Sequence, residues 1–143
     1  MSFKFQPILN LRKHHEDHCR ARLKEEQTKL QRIEDELTKI QATKRAQETE
    51  AEKLAVGAVK PEYLLFGSAY LGYLRRKQEE TKGRRAQQRE KVDKTREALI
   101  QARKETKVME KLKEKKAREE AEERLRLEQK TLDEMAINQI YHS

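Results

Sequence analysis

Val56-Gly-Ala-Val-Lys-Pro61 divides the chain into two long helix-competent stretches. Gly57 weakens a helix by about 1 kcal/mol relative to alanine, and Pro61 lacks the amide N–H that a helix arriving from upstream would need. All four glycines, Gly57, Gly67, Gly72 and Gly83, lie between 57 and 83 together with Pro61. Pro7 stands near the start, where a helix tolerates it. The stretches at about 8–55 and 84–140 therefore contain no breaker.

Both stretches carry heptads. In the first, Leu23, Leu30, Leu37 and Ala51 occupy one column and Cys19, Ile33, Ile40 and Leu54 the column three residues on, the 3-4 alternation of a coiled-coil seam. Glu26, Lys44 and Gln47 are defects in it. In the second, Leu71, Val92 and Leu99 share one column and Leu74, Ala102 and Met109 the other, with Gln78, Arg85, Gln88 and Thr95 at intervening positions. Beyond Leu112 the register shifts, and Ala121, Leu125, Leu132 and Met135 begin a new stripe, a local change of winding.

A short connection makes consecutive helices antiparallel neighbours. The expected fold class is all-α: a long antiparallel two-helix coiled-coil hairpin with a C-terminal helical overhang. The expected organisation is a single coiled-coil rod over 1–143, with helix 1 at about 6–55, the turn at 56–61 and helix 2 at about 62–140. Folding at the turn pairs residues whose numbers total about 118, which leaves roughly 117–140 without a partner in the chain. At ~1.5 Å per residue the arms would be roughly 70 and 115–120 Å long. A compact chain of this length has a radius of gyration near ~15 Å, and small-angle scattering should return more than twice that. A compact value would contradict the hairpin.

Composition agrees with this reading. The 143 residues include 34 Lys and Arg, 26 Asp and Glu, 34% hydrophobic and only 5% aromatic residues, too little dispersed apolar surface for an ordinary globular core. A charged, Leu- and Ala-containing chain with helical periodicity points to long helices. So polar a seam is expected to be marginal and to be completed by partners. The longest apolar clusters, at 56–59 and 63–66, fall far short of the ~20 residues of a membrane span. The opening Met1-Ser-Phe-Lys-Phe5 lacks a signal-peptide core, and Cys19 has no second cysteine to pair with. A cytoplasmic protein is expected.

Charge is uneven. Residues 1–74 hold 13 basic and 11 acidic side chains, residues 75–116 hold 17 and 8, and residues 117–134 hold 4 and 7. The basic middle, with Arg75, Arg76, Lys77, Arg84, Arg85, Lys111, Lys113, Lys115 and Lys116, could attract phosphate or an acidic surface. A solvated mixed-charge coil is the plainer reading. No aromatic residues interleave with these basics to stack bases, so no specific nucleic acid is expected. His14, His15, His18 and Cys19 offer metal-type i,i+4 pairs, yet two ligands do not close a site, so a polar helix surface with Cys19 turned inward is preferred. No catalytic residue, cofactor or metal is expected, since a bare two-helix rod encloses no pocket that excludes water.

Two features exceed what a coiled coil needs. Tyr63, Leu64, Leu65, Phe66, Tyr70, Leu71, Tyr73 and Leu74 gather after the turn, either as a partner site or as packing that closes the hairpin. Residues 125–136 form an amphipathic segment with Leu125, Leu132 and Met135 on one stripe, suited to docking in a groove or pore.

Three segments, Phe3-Lys-Phe-Gln-Pro-Ile-Leu-Asn-Leu-Arg12, Ala69-Tyr-Leu-Gly-Tyr-Leu74 and Glu128-Gln-Lys-Thr-Leu-Asp-Glu-Met-Ala136, resemble the FliJ family of the flagellar type III export apparatus in order and spacing. The resemblance implies a non-enzymatic stalk and adaptor similar to the central stalk of rotary ATPases. Its partners would be the hexameric export ATPase (FliI), the export gate (FlhA) and export chaperones, at the inner membrane beneath the flagellar basal body. The gate contact that the resemblance implies is Tyr70, Leu74 and Lys77: the family's pattern maps onto Tyr70 and Leu74, while the next helical positions, Lys77 and Thr81, depart from it. The ATPase-facing motif maps onto Glu128, Gln129, Lys130, Leu132, Asp133 and Glu134. The equivalent stalk of a virulence-type secretion system is the nearest alternative, and a basic coiled coil on nucleic acid or anionic membrane the other.

Overall fold

A computed structural model describes residues 3–57 and 60–142. It contains two α-helices, α1 (Gln6–Val56) and α2 (Pro61–His142), and no strand among the described residues. Part of the expected turn, Ala58 and Val59, lies outside the described residues. Pro61 opens α2, where its fixed φ suits a helix and its missing N–H costs nothing, and Glu62 adds a carboxylate to the first turn. α1 closes with the Gly57 N–H donated to the Leu54 carbonyl at 3.4 Å and with Lys53 in its last turn, where a cation meets the negative end of the helix dipole.

The two helices pack antiparallel against each other. The chain divides into two compact units, residues 19–99 and residues 1–18 with 100–143, and each has its own section of seam. In the first, Cys19, Leu37, Ile40, Leu74, Val92 and Leu99 are buried. Bonds between the helices join Lys44 to Gln78, Arg84 to Glu36, Gln88 to Glu26 and Arg89 to Glu34. The paired numbers total 114 to 123, around the expected 118. In the second unit Leu9, Ala102 and Thr106 are buried, Arg12 Nη1 meets Glu105 Oε2 at 2.7 Å, and Arg103 lies 3.6 Å from Glu16. Exposed ion pairs of this kind contribute about 0–1 kcal/mol each, so the seam decides the register.

The polar seam positions are met in three ways. Glu26 and Gln88 meet each other: the Gln88 side-chain amide donates to the Glu26 backbone carbonyl at 3.0 Å and to its carboxylate at 2.5 Å. Lys44 donates to Gln78 at 3.1 Å, and Gln47 lies over Gly67, where an added Cβ would come within 3.3 Å of its amide nitrogen. Thr81 and Thr106 instead donate to the carbonyls of Lys77 (2.7 Å) and Ala102 (3.0 Å) in their own helix, an i−4 bond that lets a hydroxyl be buried without a partner across the seam. Among the described residues no buried side-chain polar atom lacks a hydrogen bond.

The Gln88 bond, helped by the charge of Lys29, holds the Glu26 carboxyl below its ordinary value of 4.5. A carboxylate whose folded pKa is depressed contributes stability that is complete above its unfolded pKa and is lost as pH falls through the folded one. The wild-type chain should therefore melt above Glu26→Gln at neutral pH, with the gap closing below about pH 4.5. Thermal circular dichroism across that range measures it; a gap that does not change with pH would show that the Glu26 charge contributes nothing.

Candidate interaction surfaces

After the turn, α2 presents large apolar side chains that α1 does not cover. Tyr63, Leu64, Leu65 and Phe66 are consecutive and all exposed, Phe66 to 75%. At 100° per residue they point in four directions, so no single neighbouring helix could bury them. One turn further on, Tyr70 is 41% exposed and stacks on Tyr73 with ring centroids 6.3 Å apart. Leu74 is different: only 4% exposed, it is a seam residue. Lys77 is partly exposed and its backbone carbonyl holds the Thr81 hydroxyl. Thr81 is 1% exposed, so this surface does not continue along the Tyr70–Leu74 line. The structure leaves Tyr70, with Tyr73 stacked beside it, accessible and buries Leu74, which holds that turn against α1.

The second surface is the end of α2. From residue 113 to 142 every residue is exposed. Phe3 and Phe5, just before α1 and edge to face at 5.8 Å, with Lys4, Lys113, Lys116, Ala117 and Glu120 line an open cavity of about 520 Å³. Past this cavity Leu125, Leu127, Leu132 and Met135 are more than half exposed, followed by Ile137, Ile140 and Tyr141. Glu128, Gln129, Lys130, Leu132, Asp133 and Glu134 all stand in this stretch, and Gln129 donates to Asp133 at 3.0 Å one turn on. Ile137, Ile140 and Tyr141 were not singled out in the sequence, although their i, i+3, i+4 spacing is a helical face. An exposed apolar stripe on an uncovered helix marks a docking segment rather than a fold element.

His14 and His18 lie on the exposed face of α1 while Cys19 is buried in the seam. Among the described residues no three His, Cys, Asp or Glu side chains gather where they could hold a metal ion, and no helix is long and apolar enough to cross a membrane.

A hairpin with exposed aromatics at the start of α2 and an exposed α2 end is the arrangement that the opening, post-turn and closing motifs imply. The family model described as flagellar FliJ protein matches residues 1–143. The chain belongs to the FliJ family. No curated protein and no solved structure matches the chain. FliJ proteins are stalk proteins of the flagellar export apparatus, structural adaptors and not known enzymes. Membership places this chain in flagellum biogenesis and protein export, in association with export components.

Proposed function

We propose that this FliJ-family protein is a non-enzymatic stalk that docks the end of α2 in the hexameric flagellar export ATPase (FliI) and couples it to the export gate (FlhA) and to export chaperones, in the cytoplasm beneath the basal body. The observation that carries the reading is that α2 stays helical past the Phe3–Phe5 cavity while exposing Leu125, Leu132 and Met135. A helix of that length gains its stability from packing, and residues 121–136 of this one are all exposed. Glu128, Gln129, Lys130, Leu132, Asp133 and Glu134 are the residues assigned to the ATPase ring. Tyr70 and Lys77, positioned by Leu74, are assigned to the gate.

The test is hydrolysis by the cognate ATPase titrated with this protein. The rate should rise and saturate, while the stalk alone hydrolyses nothing. An ATPase rate indifferent to the added stalk would remove the coupling role.

A further inference from the structure

The register brings two cations together on one flank of the seam. Lys29 of α1 and Lys91 of α2 line a groove of about 360 Å³ with Arg32, Ile33, Arg84, Gln87 and Gln88 and a single carboxylate, Glu36. One heptad along, the same flank carries an opposite pair, Arg84 bound to Glu36 at 3.0 Å. Glu26 lies 3.5 Å from Lys29. Among the described residues no carboxylate lies within ion-pair distance of Arg32 or Lys91, although the Glu26 carboxylate is close enough to feel the charge of Lys91. Like charges facing across a helix pair are destabilising, so the groove favours an anionic occupant, and its Ile33 floor favours an apolar one.

The same chain contains a segment of that character. Residues 117–134 hold 7 acidic against 4 basic side chains, and Leu125, Glu128 and Leu132 follow one another on a single stripe of the exposed α2 end. They span one heptad, as do Lys29 to Glu36 and Arg84 to Lys91 around the groove. Glu122 flanks the stripe, and the stripe places a carboxylate between two leucines.

We propose that the acidic, apolar end of α2 of one copy docks as a third helix in the basic groove of a second copy, with Leu125 and Leu132 against Ile33 and with Glu122 and Glu128 beside Arg32 and Lys91. Exchange in both directions makes an isologous dimer with two equal contacts. Charge sets the specificity of such a contact and makes it salt-sensitive. Docking covers residues 128–132, so self-association excludes the ring contact proposed above; that consequence rests on that reading, and the dimer itself does not.

Sedimentation of the full chain at several concentrations tests this. The dimer, twice 17.1 kDa, should form near ~0.1 M salt and dissociate near ~1 M, where the Debye length falls from about 10 to about 3 Å. Arg32→Glu with Lys91→Glu, and separately Glu122→Lys with Glu128→Lys, should each weaken dimerisation by at least about tenfold. All four positions are exposed on helices, and circular dichroism checks that both variants stay folded. Mixing the two variants restores one contact with its native charges and the other with its charges exchanged, and the mixture should sediment as a heterodimer. A chain that stays monomeric near ~0.1 M salt, a dimer indifferent to the reversals, or a mixture that remains monomeric would overturn the proposal.

Discussion

Truncation after Glu120 is expected to leave α1 and the rest of α2 paired and to abolish stimulation of the flagellar export ATPase. The cut spares Phe3, Phe5 and the α2 residues against them, and the described residues it removes are all exposed. Removing exposed side chains that touch no other element changes stability by no more than about 0.5 kcal/mol. The helical signal should therefore fall in proportion to the residues deleted, with the melting midpoint almost unchanged. Stimulation should disappear because the stripe of Leu125, Leu132 and Met135 is gone. Calorimetric melting and a coupled hydrolysis assay on the same preparation separate the two effects. Full stimulation by the truncated stalk would show that the ATPase meets the protein elsewhere.

Tyr70→Ala and Leu74→Ala, four residues apart, should fail in opposite ways. Leu74 is buried against α1, and truncating a buried leucine costs about 2–5 kcal/mol in a packed core. In so polar a seam even the lower figure should drop the melting temperature by several degrees and weaken every activity together. Tyr70 is exposed beside Tyr73, and its loss should scarcely move the melt. If it anchors the gate contact, its truncation removes about 2 kcal/mol or more of binding, over tenfold in affinity, and leaves ATPase stimulation intact. Gate pull-down, melting and hydrolysis measured on both variants tell anchoring from packing. Normal gate binding by Tyr70→Ala would clear Tyr70 from the contact.

The heptads made the fold legible. Leu37, Ile40, Val92, Leu99 and Ala102, all read from the heptad columns, are buried in the seam, and the pairing rule follows from where the breakers lie. The polar positions were legible as interruptions but not as partners. Glu26 and Gln88 each look like a defect in their own helix, and only the register shows that one answers the other. Thr81 falls in the column of Leu74 and Gln88, but periodicity cannot show how a buried hydroxyl is satisfied, here by a carbonyl one turn back in the same helix. Leu74 fits both the seam column and the post-turn cluster, and burial, which depends on the partner helix, chooses the seam. The groove draws on Lys29 and Lys91, which are 62 residues apart in sequence, and appears only once the helices are aligned. Ile137, Ile140 and Tyr141 escaped notice because the stripe loses its strict heptad after Met135.

Photo-cross-linking in the assembled export apparatus, with a photoreactive side chain placed singly at Leu132, Tyr70 or Lys104, tests the division of labour most directly. Lys104 is exposed on α2 and belongs to neither surface. Capture of the ATPase from position 132, of the gate from position 70, and of neither from position 104 is the expected result. Capture of the ATPase from position 70 with none from position 132 would contradict the assignment of both surfaces.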